Sequence, residues 1–163
     1  DEAEKGIQDR IARLMSIKGK QSVDSLHKKL GHIMWDFVGM GREREGLEKA
    51  IVELKALKKE FWSDVRIPGK ADDLNVELEK ALRLADFIEI GELMARDAHD
   101  REESCGGHFR LEHQTPEGEA LRHDDQFAYV SCWEYQGEDQ DPVLLKEPLD
   151  YEFVVRQQRN YKN

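Results

Sequence analysis

The chain has 163 residues, of which 39% are hydrophobic and 37% are charged, and its formal net charge is −10 at pH 7. This length suits one ordinary domain. The negative charge argues against nucleic acid and anionic lipid as partners, because binding to either needs a basic surface. No apolar run approaches the roughly 18 residues of a membrane-spanning segment, so none is predicted.

The first two thirds of the chain carries apolar residues at alternating spacings of three and four, which is the pattern of amphipathic helices. The predicted helices are one that runs to about Lys18, one from Val23 to Gly39 and Gly41, one from Leu47 to Val65, and one from a cap at Asp72, Asp73 or Asn75 to about Glu103. In the last of these, Glu77 and Glu79 suit the positive end of the helix dipole. Met94 is predicted to share its buried face with Leu78 and Ile88.

The hydrophobic period changes to two after Cys105-Gly106-Gly107, which indicates strands. Alternation predicts a half-buried strand over 109–113, a turn over 115–118 with proline second, and a second strand over 127–135. Residues 143–145 and 151–155 are shorter extended candidates. The predicted fold is therefore mainly α: a three- to four-helix bundle over 1–104, followed over 105–163 by a small antiparallel β region (α+β).

The cysteines and histidines give little indication of a metal site. Cys105 and Cys132 are the only cysteines and lack a CxxC spacing, so with no recognisable signal peptide a reducing cytoplasmic compartment is favoured. His99, His108 and His113 lie near Cys105, but two of these histidines are five apart on a predicted strand and would point to opposite faces. No metal site is predicted. The chain begins at Asp1 without a methionine, so we expect it to be part of a longer protein.

Charged residues are concentrated where the last predicted helix meets the first predicted strand. They include Arg101, Glu103, His108 and Arg110. One interpretation is a docking or ion-pair hub, and the other is a set of ordinary local salt bridges at a helix C-terminus, each of which contributes little. Composition alone favours the second.

Residues 101–110 read REESCGGHFR, and this segment resembles the R-[KE]-E-S-R-G-A-H-x-R segment near the C-terminus of succinate dehydrogenase and fumarate reductase flavoproteins. Cys105 and Gly107 replace the arginine and alanine of most members, as in the branch from anaerobic bacteria with diheme membrane anchors. Weaker resemblances cover 38–42, 84–94 and 124–135, and Arg159-Asn160-Tyr161 is similar to an R-x-Y near the family's C-terminus.

The resemblance implies a C-terminal domain of a longer flavoprotein, which interconverts succinate and fumarate with FAD and passes electrons through an iron–sulfur subunit to quinone. The family's dinucleotide-binding, covalent-flavin and substrate-binding residues lie upstream of the resembling region. We therefore expect no catalytic residue, cofactor-binding residue or metal ligand in this chain, and we expect the fragment alone to be inactive.

The resemblance also implies partners for this chain. They are the iron–sulfur subunit, the upstream flavin-binding domain and, indirectly, a quinone-reactive membrane anchor, with the complex peripheral on the inner, cytoplasmic face of the cytoplasmic membrane and with no nucleic acid. Arg101, Glu103, His108 and Arg110 are the expected inter-domain ion-pair hub. The alternative function is a freestanding acidic helical adaptor that binds a basic partner. A metal hydrolase is a third and less favoured possibility.

Overall fold

The computed structural model describes residues 1–137 and 140–157. Over these ranges the elements are α1 Glu2–Ser16, β1 Gln21–Ser22, α2 Val23–Phe37, α3 Arg44–Asp64, β2 Val65–Arg66, α4 Val76–Asp100, α5 Asp124–Phe127, β3 Tyr129–Glu134 and β4 Val143–Pro148. The predicted fold class, mainly α with a small antiparallel β region, is confirmed. No helix in the described ranges combines the length and the apolar character that crossing a membrane requires.

The helices begin where the sequence supplies a side-chain cap. The side chains of Asp1 and Ser22 accept backbone N–H groups at the starts of α1 and α2. Of the three caps considered for α4, Asn75 is the one used: its Oδ1 accepts the N–H of Leu78 at 3.0 Å. Glu77 and Glu79 lie in the first turn, as predicted.

The core lies between α2, α3 and α4, and the buried stripe of α4 includes Ile88, Gly91, Ala95 and Ala98. At Gly91 an added Cβ would lie 3.1 Å from the Met34 Sδ of α2, so the small residues let α2 and α3 approach closely. This close approach turns the stripe away from Met94. The predicted burial of Met94 is therefore wrong, and its side chain is 48% exposed.

A parallel pairing of two residues from each strand joins β1 to β2, with Gln21 opposite Val65. It holds the connection between α1 and α2 against the end of α3. At Gly19 a Cβ would lie 1.9 Å from the Asp64 carbonyl oxygen, and the Lys20 N–H donates to Asp64 Oδ1 at 2.9 Å. Sequence periodicity did not reveal this pairing, because two residues are too few to show an alternation.

The strand predicted over 109–113 is wrong. These residues form turns and isolated bridges instead, one of them between Arg42 and Arg110. Arg110 is buried and Leu111 is exposed, which reverses the expected faces. The turn over 115–118 is confirmed, because the Gly118 N–H donates to the Thr115 carbonyl oxygen at 2.9 Å.

The second predicted strand forms as β3 and pairs antiparallel with β4, while the residues just before it form α5. The inward face of β3 is attached to the C-terminal half of α4: the Tyr129 hydroxyl and Asp100 Oδ2 lie 3.1 Å apart, and Trp133 Nε1 donates to Asp97 Oδ1 at 3.0 Å. The extended candidate over 151–155 does not form a strand. Arg159-Asn160-Tyr161 lies outside the described residues.

Candidate functional site

The four residues expected to form an ion-pair hub lie together, where the C-terminus of α4 meets the N-terminus of α3. Two further residues, which sequence reasoning did not assign to the site, complete the group. We call these six the junction cluster: Arg42, Arg101, Glu103, His108, Arg110 and Glu112.

Arg110 lies at the centre of the junction cluster and is only 1% exposed. Its Nη1 donates to the carbonyl oxygens of Ala98 at 2.9 Å and His99 at 3.3 Å, and its Nε donates to Glu112 Oε2 at 3.2 Å. Carbonyls at the end of an α-helix lack intrahelical partners and carry the negative end of the helix dipole. Arg110 therefore acts as a buried C-terminal cap for α4.

Glu112 connects this cap to the start of α3. Its Oε1 accepts the backbone N–H of Arg44, the first residue of α3. The N-cap residue Glu43 makes no side-chain capping bond, so Glu112 supplies the cap from a distant part of the chain. Burial works to raise the pKa of Glu112, but hydrogen bonds from the N–H groups of Arg44 and of Glu112 itself, together with Arg110, outweigh burial and lower the pKa from 4.5 to about 2.

We expect Glu112→Gln to be less stable than the wild type near neutral pH, and the difference to disappear in acid. The folded-state pKa, about 2, lies below the ordinary value of 4.5. The stabilisation is therefore complete above pH 4.5 and is lost as the pH falls towards 2. Urea midpoints of both proteins across this range would measure it, with Glu45→Gln, an exposed carboxylate in the first turn of α3, as the control. A constant difference at every pH would contradict the assignment.

Arg101 and Glu103 attach the β region to the bundle. Arg101 Nη1 donates to Glu103 Oε1 at 3.0 Å and to the Phe127 carbonyl oxygen at 2.9 Å. Its guanidinium also lies over the Tyr129 ring, 4.8 Å from the centroid. Glu103 is buried, and its second oxygen accepts the His123 N–H at 2.9 Å. This pair thus fixes the start of β3 against the end of α4.

His108 is a neutral bridge within the junction cluster. Its Nδ1 lies 2.9 Å from Arg42 Nη1, and its Nε2 lies 2.8 Å from the Arg101 carbonyl oxygen. Since arginine can only donate, Nδ1 accepts, and we infer that Nε2 carries the proton and donates to the carbonyl. Burial lowers the pKa of His108, and the nearby guanidinium groups of Arg42 and Arg110 lower it further. Both ring nitrogens are occupied, so neither is available to a metal.

The other residues weighed for a metal site do not join His108. His99 lies 3.2 Å from Glu48 Oε1, the His113 ring packs edge-on against the His123 ring, and Cys105 is exposed with a free thiol. Within residues 1–137 and 140–157, no group of three or more His, Cys, Asp or Glu side chains is arranged to hold a metal ion.

In the junction cluster each charged group satisfies hydrogen bonds of another part of the same chain. Together with the bundle, this defines an α+β domain whose charged centre has a structural part in the fold. The chain matches the family model for the C-terminal region of the fumarate reductase flavoprotein over residues 27–161, and it belongs to that family. The resemblance noted at residues 101–110 is thereby confirmed.

Curated relatives are much longer than this chain. The fumarate reductase flavoprotein subunit of Proteus vulgaris is 31% identical over 112 residues, which is 69% of this chain and 19% of that protein. A subunit of the fumarate reductase (CoM/CoB) of Methanothermobacter marburgensis is 33% identical over 110 residues, with 68% and 19% covered. The chain spans about a fifth of the length of these relatives.

Solved structures share the fold. A quinol-fumarate reductase with menaquinol molecules superposes with a TM-score of 0.79 at 24% identity, covering 93% of this chain and 25% of that chain. An E. coli quinol fumarate reductase gives 0.75 at 23% identity, covering 96% and 26%. The fold of this domain is thus a quarter of a longer flavoprotein chain in those structures.

Proposed function

We propose that this chain works as the non-catalytic C-terminal domain of a succinate dehydrogenase/fumarate reductase flavoprotein. The whole protein would interconvert succinate and fumarate at FAD and pass electrons through an iron–sulfur subunit to quinone. Two facts support this proposal: the family match over residues 27–161, and the length of the relatives, of which the chain spans about a fifth.

The observation that carries a structural role is the internal use of the charged side chains. Arg101, Glu103 and Arg110 hold helix ends and the first strand of the β region, and His108 is a neutral bridge. In this proposal FAD and substrate are bound by the rest of the flavoprotein, and we expect the isolated fragment to be inactive.

The inter-domain role of Arg101, Glu103, His108 and Arg110 stays a prediction. Arg101 and Glu103 line an open cleft of about 800 Å³, which would give a neighbouring domain access to them. In the full-length flavoprotein, Arg101→Gln is expected to reduce the yield of assembled, FAD-containing protein, whereas Arg83→Gln, an exposed control on α4, leaves it unchanged. Equal yields from the two variants would contradict the hub.

The size and location of the native polypeptide test the proposed function. An immunoblot of membranes and cytosol, with an antibody raised against this chain, is expected to show a band much larger than 19.0 kDa that is enriched with membranes. Membrane enrichment would reflect indirect attachment at the inner face, through a quinone-reactive anchor and the iron–sulfur subunit. A band near 19.0 kDa in the cytosol would overturn the proposal and favour the acidic adaptor, for which the net charge of −10 is the supporting observation.

A further inference from the structure

One face of the bundle exposes large apolar side chains from α2 and α4. Phe87, Ile90 and Met94 follow one another at spacings of three and four, so they form a stripe along α4. They are 43%, 52% and 48% exposed. Trp35 of α2 is 84% exposed and follows Met34, whose Sδ lies beside Gly91 between the stripe residues. We call Trp35, Phe87, Ile90 and Met94 the α2–α4 patch.

The outer side of α3 is different. Val52 is the one large hydrophobic residue of this helix that is exposed. Its neighbours Lys49 and Glu53 form an ion pair across one turn, and its remaining exposed positions are charged, polar or alanine. The apolar character is therefore confined to one face of the bundle, as expected for a surface that another polypeptide covers.

A cleft of about 430 Å³ lies at the end of the α2–α4 patch, lined by Met94 together with Arg42, Asp97 and other residues. Arg42 is half-buried and donates from Nε to the Gly39 carbonyl oxygen and from Nη1 to neutral His108. Among the described residues no carboxylate forms an ion pair with it. A partly desolvated guanidinium without an anionic partner is costly, and an incoming carboxylate would offset that cost.

We infer that the α2–α4 patch and Arg42 form the surface that packs against the flavin-binding part of the same polypeptide, which would place apolar side chains over the patch and a carboxylate beside Arg42. This inference rests on the proposed function. The occupant follows from chain length: about four fifths of each relative lies outside the region matched by this chain. A covalently attached domain is present at high effective concentration, which favours it over a separate partner.

Cysteine protection in the purified full-length flavoprotein tests this inference. Ile90→Cys and Val52→Cys are matched, because both replace exposed β-branched residues within helices of the bundle. Each variant is treated with a maleimide in the native state and in urea, and labelling is quantified by mass spectrometry on the peptide that contains the new cysteine. The native-to-urea ratio for Ile90→Cys is expected to be about tenfold or more below that for Val52→Cys, because labelling at a covered site requires local opening.

A second variant examines the charged end of the surface. Arg42→Gln in the Ile90→Cys background is expected to raise native labelling several-fold, while Arg83→Gln leaves it unchanged. Labelling that Arg42→Gln does not alter would remove Arg42 from the inferred surface.

Three results would overturn the occupant. Equal ratios for Ile90→Cys and Val52→Cys would show that the patch is open. Protection only when the iron–sulfur subunit is co-purified would assign the patch to that protein, and protection lost on dilution would assign it to a second copy. A native polypeptide near 19.0 kDa would remove the proposed function together with this inference, whereas a long flavoprotein with an unprotected cysteine would remove this inference alone.

Discussion

Arg110→Met is expected to lower the free energy of unfolding by about 3–5 kcal/mol, the range for breaking a buried charged contact. The side chain is 1% exposed and supplies hydrogen bonds to two carbonyls at the end of α4. Methionine fills a similar volume but cannot donate, so the Ala98 and His99 carbonyls would lose these bonds in an environment with little access to water. Glu112 would lose its guanidinium partner as well.

Urea unfolding of the 163-residue chain, followed by circular dichroism, measures this change. Arg83→Met is a suitable control, because Arg83 is an exposed arginine of the same helix that pairs with Glu79 one turn away. Loss of that pair costs about 0.5 kcal/mol or less. An Arg110→Met variant as stable as Arg83→Met would show that the buried guanidinium does not stabilise the end of α4.

Gly19→Ala is expected to destabilise the chain by about 3 kcal/mol, near the upper end of ordinary overpacking. The added methyl group would lie 1.9 Å from the carbonyl oxygen and 2.0 Å from the carbonyl carbon of Asp64. These are backbone atoms and cannot rotate away as a side chain does. The connection between α1 and α2 must therefore move, and it would lose the hydrogen bond from Lys20 to Asp64 and the pairing of β1 with β2.

Gly31→Ala provides a control of opposite sign. Gly31 lies inside α2, and a Cβ at this position meets no atom within 4 Å. Replacement by alanine is expected to stabilise the chain by about 0.5–1 kcal/mol through helix propensity. Thermal or urea unfolding of the two variants should move in opposite directions. A neutral Gly19→Ala would show that the connection can relax at no cost.

The helices were predictable because their apolar spacing is sustained over several turns, and because residues such as Asn75 mark their starts. The strand over 109–113 was predicted incorrectly for a specific reason. Alternation of polar and apolar residues assumes that the apolar ones are buried, but Arg110 is drawn inward by the unpaired carbonyls of α4. Local pattern cannot register that demand, because it comes from the end of another element.

The same reason separates the predicted members of the junction cluster from the two that were missed. Arg101, Glu103, His108 and Arg110 lie within ten residues of one another, so their density was visible in the sequence. Arg42 reaches His108 across 66 positions, and Arg44 reaches Glu112 across 68. The similarity of residues 38–42 to a helix junction of the family was the only indication that Arg42 mattered.

The separation along the chain between α3 and its cap bears on the order of events during synthesis. The start of α3 leaves the ribosome well before Glu112, so the helix must form and pack while its N-terminus still lacks the cap. Contacts of such long range close late, after the bundle has collapsed. Interactions formed after the transition state change the unfolding rate far more than the folding rate. The junction cluster is therefore expected to determine how long the folded domain persists and to have little influence on how quickly it forms.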